Sequence, residues 1–227
     1  MKQDDTRERP KGDEPIPADD AVGDYVDVAA VFSSVIPVLG GAISNVLSGW
    51  SQQRRMDRIR EVLEGLQSRL LALEARVDKE YVRGEEFEDL LDQTLRRVSH
   101  ERHEEKRRLY REFLLDATTK RDVPYDEQLR MIRVLDELQV AHIKVLRAVM
   151  QEPRPTPGPV SVTWLPALTG RLSGMSEELI EELFEQLKDL KVLKREETRI
   201  RMARSAEEAG RVVTRFGHRL VDFIRRI

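Results

Sequence analysis

The chain contains no cysteine. Disulfides, thiolate zinc sites and a cysteine nucleophile are therefore excluded, and the composition suits a reducing cytoplasm. Aromatic residues make up only 5% of the 227 residues, and glycine and proline are scarce inside the long stretches. With Leu, Glu and Arg abundant, this favours helices over sheets. Positive charge is not in excess: the formal net charge is -3, which argues against a protein that coats nucleic acid through surplus Lys and Arg. Catalytic motifs are missing as well. There is no HExxH, GxSxG or GxxxxGK[ST], and the Gly40-Gly41 pair lacks the further glycines and the basic residue of a phosphate loop. Of the four histidines, only His100 and His103 lie close, sharing a helical face with Glu104, and no third histidine or cysteine is near in sequence. No catalytic, cofactor-binding or metal-ligating residue is assigned, and no enzymatic activity or small-molecule substrate is expected. A cleavable signal peptide is not expected either, because the first apolar run starts near residue 28 behind an acidic leader.

What is present is unevenly distributed. Charged residues make up 36% of the chain, yet residues 28–53, VAAVFSSVIPVLGGAISNVLSGWSQQ, carry none. Asp19, Asp20, Asp24 and Asp27 precede this segment, and Arg54, Arg55, Arg58 and Arg60 follow it. It is long enough to cross a bilayer, although Ser33, Ser34, Pro37, Gly40, Gly41, Ser44, Asn45 and Ser48 dilute its hydrophobicity. Two readings stand. In the first, Phe32, Ile36, Leu39, Gly40, Gly41, Ile43, Leu47 and Trp50 belong to a membrane-contacting segment. Its small residues recur every fourth position, and the following arginines keep the rest of the chain on the cytoplasmic face. In the second, the stretch from Pro37 to Gly41 splits the segment into two short helices, and the large side chains bury against the neighbouring bundle.

The domain organisation expected is a disordered acidic leader over 1–27, a helical bundle over 28–152, a stiff proline-rich linker PRPTPGP over 153–159 and a second module over 160–227. Within the bundle, Met56, Ile59, Leu63, Leu66, Leu70, Leu73 and Val77 alternate at spacings of three and four, a heptad seam. Ile59, Leu63, Leu66, Leu70, Leu73 and Val77 are accordingly the candidate self-association seam. After a turn at Gly84, the apolar stripe through Phe87, Leu90, Leu91, Thr94 or Leu95, Val98, Leu109, Phe113 and Leu114 predicts a second helix of roughly thirty residues. Pro124 then opens a third stripe, Leu129, Ile132, Leu135, Leu138, His142 or Ile143, Leu146 and Met150. Short loops between such helices predict antiparallel packing. In the second module Trp164 to Leu172 suggests a short helix, Ser176 an N-cap for a helix through Leu190, and VLKREETRIRMA a hairpin. Thr214 reads as the cap of a last helix. The fold class is thus mainly α: an antiparallel helical bundle or coiled coil with a C-terminal winged-helix-like module.

A winged helix suggests DNA, but the helix that would enter the groove carries Glu177, Glu178, Glu181, Glu182, Glu185 and Asp189 against Lys188. Contact through the basic wing is the remaining route, with Lys194, Arg195, Arg199 and Arg201 as candidate residues. The strings IPVLGGAISNVL, EEKRRLYREFLLDAT, LDELQVAHIKVLRAVM and VVTRFGHRLVDFI, in that order, resemble the bacterial abortive-infection alpha family. That resemblance implies an association with phage defence and supplies no enzymatic site. The expected function is a non-enzymatic helical protein of defence, acting by assembly with itself or a protein partner and by membrane association. The alternatives are a winged-helix DNA-binding regulator and a soluble self-associating scaffold.

Overall fold

The computed structural model describes residue 43 and residues 53–119, 123–150, 170–194 and 213–227. These residues are mainly helical, with seven α-helices and no β-strand among them. In chain order the helices are α1 (Gln53–Leu71), α2 (Glu85–His100), α3 (Glu104–Thr119), α4 (Tyr125–Glu137), α5 (Val140–Met150), α6 (Glu177–Asp189) and α7 (Arg215–Arg226). Short 3-10 turns at Glu74–Arg76 and Tyr81–Arg83 join α1 to α2.

The centre of the arrangement is α3, which packs against α1, α2, α4 and α7. Its second half, from Leu109 to Thr118, is buried at every position except Arg111. A helix contacted on several sides must bury most of its circumference, which is why Leu109, Tyr110, Phe113, Leu114, Leu115 and Ala117 point in several directions. The remaining contacts run from α1 to α2, α2 to α4, α5 to α6 and α5 to α7.

The seam of α1 is used inside the chain. Ile59, Leu63 and Leu70 are fully buried and Leu66 nearly so, on a helix that packs against α2 and α3. The helix itself stops at Leu71, so Leu73 and Val77 lie beyond it, in the turns leading to α2. There the Asp78 amide donates to the Thr118 carbonyl, and the Asp78 carboxylate accepts the Glu80 and Tyr81 amides, which fastens this connection to the end of α3.

Two long stripes are each broken once. The helix expected through Phe87 to Leu114 ends at His100 and restarts at Glu104. Glu101 adopts an extended backbone (φ -76°, ψ 119°), and its carboxylate accepts the His103 amide. Ser99 ends α2 by donating its hydroxyl to the Arg96 carbonyl, a local bond that competes with helix continuation. The stripe from Leu129 to Met150 is likewise interrupted at Leu138 (φ -67°, ψ 130°), after which the Gln139 amide donates to His142 Nδ1 and α5 begins. In both places the apolar period survives the break, because the resumed helix turns its buried face back to the same core.

Toward the C-terminus Ser176 and Thr214 act as N-caps, accepting the Leu179 and Gly217 amides at 3.2 and 2.8 Å. After α6 the chain reverses through Lys191, whose φ of 59° lies in the left-handed region. An isolated antiparallel bridge then pairs Leu193 with Val213, directly ahead of α7. A Cβ at Gly217 would lie 2.2 Å from the Val192 carbonyl oxygen, so α7 can start against this backbone only with glycine there. The hairpin expected over 192–203 falls almost wholly outside the described residues.

Candidate functional site: a buried charge clamp

The strongest concentration of chemistry lies between α3 and α7. Glu112 and Asp116 are one helical turn apart on α3, 0% and 4% exposed, surrounded by Phe113, Leu114 and Leu115. Arg219 and Arg226, two turns apart on one face of α7, reach them from the other side. Arg226 Nη1 and Nη2 each approach Asp116 Oδ1 at 3.4 Å, and Nη1 lies 3.9 Å from Glu112 Oε2. Arg219 Nη2 stands 3.8 Å from Asp116 Oδ2, while its Nη1 donates to Glu127 of α4 at 2.8 Å. From α1, Arg69 donates to Glu112 Oε1, and Arg111 stands 3.6 Å from the same oxygen. Burying two carboxylates is costly unless cations compensate them, and here the cations come from three helices. The compensation is incomplete: Glu112 Oε2 is buried and accepts no hydrogen bond. One guanidinium contact helps seat α7, Arg130 of α4 over Phe216 at 4.1 Å, while within α7 Arg226 lies over Phe223 at 5.4 Å.

Arg111 reaches this cluster over a notch. A Cβ at Gly65 would lie 2.8 Å from Arg111 Nη1 and 2.9 Å from its Cδ, so glycine in the middle of α1 lets the Arg111 side chain lie against that helix. Burial lowers the Arg111 pKa first, and the positive charges of Arg69 and Arg108 lower it further.

A second polar cluster sits at the α2–α3 break. Lys106, only 7% exposed, donates to the Asp136 carbonyl and pairs with Glu101, both at 3.0 Å. Arg97 Nε lies 3.3 Å from Asp136 Oδ2, and the Tyr110 hydroxyl donates to Asp136 Oδ1 at 3.4 Å. Burial drives the Tyr110 phenol far above its ordinary pKa, with the Asp136 charge adding to the effect. Burial also opposes ionisation of Glu101, but the His103 amide and the Lys106 ammonium outweigh it, and the carboxyl stays below its ordinary value. Beside this cluster, His142 bridges α5 to α6. Its Nδ1 accepts the Gln139 amide at 3.0 Å, and Nε2 lies 2.7 Å from Gln186 Oε1. The amide donor at Nδ1 assigns the proton to Nε2, a neutral imidazole satisfied at both nitrogens.

The arrangement holds elements together. In each cluster the ionised groups are engaged with one another or with backbone, and among the described residues no three His, Cys, Asp or Glu side chains are grouped to hold a metal ion. His100 and His103 are exposed.

The candidate residues read from the sequence fall as follows. Of the uncharged segment, Phe32, Ile36, Leu39, Gly40, Gly41, Leu47 and Trp50 lie outside the described residues. Ile43 is described: it is helical, fully buried and part of the hydrophobic core. No helix among the described residues is long and apolar enough to cross a membrane. Arg195, Arg199 and Arg201 lie outside the described residues, and Lys194 is exposed just after the Leu193 bridge. The clamp was not anticipated from sequence. The signal available was Glu112 and Asp116 spaced by four inside YREFLLDA, with apolar residues between them, a position where a solvated acid is not expected. No family model, curated protein or solved structure matches this chain.

Proposed function

We propose that this chain is a non-enzymatic helical protein of phage defence or abortive infection, acting by assembly with a protein partner and by contact of residues 28–53 with a membrane. The observation that carries this reading is the absence of charge from residues 28–53 in a chain otherwise dense in charge; Ile43, from the middle of that segment, is helical and 0% exposed in the core, which favours the version in which the segment packs against the bundle. The segment thus has a buried foothold in this state, and reaching a lipid phase means exchanging that core contact for acyl chains. Such an exchange is favoured only by an apolar surface comparable to the core it leaves. The absence of charge from 28–53 meets that condition. The flanking arginines fit a cytoplasmic-face location for the remainder.

The test is alkaline extraction of membranes from cells expressing the intact chain or a chain lacking residues 28–53. Retention of the intact chain alone supports the proposal. Release of both into the soluble fraction removes the membrane part and leaves assembly with a protein partner.

A second reading takes residues 160–227 as a winged-helix-like module that binds DNA. The favouring observation is the antiparallel Leu193–Val213 bridge placed between α6 and α7, where the base of a wing would stand. Against it, α6 exposes Glu177, Glu178, Glu181, Glu182, Glu185 and Asp189, which repel phosphates. A salt-sensitive retention on duplex DNA that is lost when Arg199 and Arg201 are changed to Glu would support this reading, and no retention of the unaltered chain would end it.

A further inference from the structure

We propose that His142 is a proton-operated pin between the bundle and the second module: neutral, it holds α6 against α5, and protonated, it leaves its site and frees α6. The geometry is specific. The ring is 2% exposed and makes two hydrogen bonds of opposite polarity, accepting at Nδ1 from the Gln139 backbone amide and donating at Nε2 to Gln186 of α6. Only the neutral tautomer satisfies both. Adding a proton at Nδ1 sets one N–H against another at 3.0 Å and takes away the acceptor that the first turn of α5 uses. Gln186 accepts from either form, so the decision rests with Gln139.

The charged surroundings point the same way. From α3, the buried ammonium of Lys106 bears on the ring with a like charge, itself paired with Glu101 at the α2–α3 break. From α6, the facing group is the neutral Gln186 amide, whose own Nε2 donates to Glu182 Oε1 at 3.1 Å. From α7, the other helix packed on α5, Arg225 shares the lining of a cavity at the far end of α5 with Leu146, Arg147 and Met150. Among the described residues no carboxylate lies against the ring to welcome an imidazolium. Burial lowers the His142 pKa first, the Gln186 bond partly offsets this, and Lys106 lowers it further.

The direction of the linkage follows. With the pinned pKa below the ordinary value of 6.5, the unpinned state binds more protons in the interval between the two values. The pinned state is therefore fully favoured above 6.5 and loses ground as pH falls toward the lower value, by up to about tenfold per pH unit across that interval. Besides the His142 bond, the α5–α6 region is held by Arg171 Nη1 donating to the Ala148 carbonyl and by apolar packing that does not titrate.

The experiment is hydrogen exchange on the full chain between about pH 7.5 and about pH 5.5, with protection factors corrected for intrinsic rates and compared between α6 and α2. Expected is a selective loss of protection in α6 on acidification. This loss should be absent in His142→Gln and unchanged when exposed His100, His103 and His218 are all replaced by Gln. A loss that persists in His142→Gln, or disappears in the triple replacement, overturns the proposal. If His142→Gln does not fold, NMR titration of the unaltered ring decides: a pKa at or above 6.5 overturns the proposal, and a lower one supports it.

Discussion

Arg226 on α7 meets Asp116 on α3 at 3.4 Å, across 110 residues of chain. The two partners differ in what they keep when the pair is broken. Arg226 is 32% exposed at its side chain and can turn to water, whereas Asp116 at 4% cannot. The clamp is therefore asymmetric, with the arginines mobile in principle and the acids committed to the interior.

Arg226→Ala is expected to destabilise the fold by about 1–3 kcal/mol, because it leaves two buried carboxylates with less compensation. Adding Asp116→Asn should recover part of the loss by removing the buried charge. A double-mutant cycle by urea unfolding checks this, and strictly additive effects would contradict direct coupling.

Glycine substitutions separate the two close approaches. Gly217→Ala drives a Cβ into the Val192 carbonyl oxygen, a backbone atom, so α7 must lift away from the bridge region. A loss of about 2–4 kcal/mol is expected. Gly65→Ala meets only a flexible side chain, Arg111 at its Nη1 and Cδ, and the gain in helix propensity offsets the displacement. Its effect should stay within about 1 kcal/mol. Thermal unfolding of the two variants side by side gives the comparison.

Acid sensitivity has a local source at the α2–α3 break. Glu101 is held below its ordinary pKa of 4.5 in the folded chain, so below that value the unfolded chain binds the proton more readily. The stability it contributes is complete above about 4.5 and is lost as pH falls through the folded value. Glu101→Gln should lower stability at neutral pH and flatten its acid dependence between about pH 5 and about pH 3. An unchanged slope in denaturant unfolding at these pH values would show that Glu101 does not contribute.

Much of the helical content could be read residue by residue. Ser176 and Thr214 were recognisable as caps, since a hydroxyl ahead of an apolar-periodic run has a local job, satisfying the first free amides. The seam from Ile59 to Leu70 was recognisable as buried, but not what buries it. A period of three and four specifies one apolar face and is silent on whether the facing helix belongs to the same chain, and here α2 and α3 cover it. The breaks at Glu101 and Leu138 were not legible, because the apolar stripe continues through them and only side-chain caps with no strong signature, Glu101 and His142, mark the restart.

The sequence by itself determined a mainly helical chain without cysteine chemistry, one uncharged segment, and the apolar faces and caps of its helices, all properties of residues near one another in the chain. Only the tertiary structure decided that Glu112 and Asp116 are interior acids answered by Arg69, Arg219 and Arg226, that Gln186 is the partner of His142, and that Ile43 belongs to the core. Those pairings join positions from 43 to 110 residues apart. Local periodicity cannot encode such contacts, since a charge at one position is compatible with solvent or with any opposite charge until packing removes the water and leaves particular partners within reach.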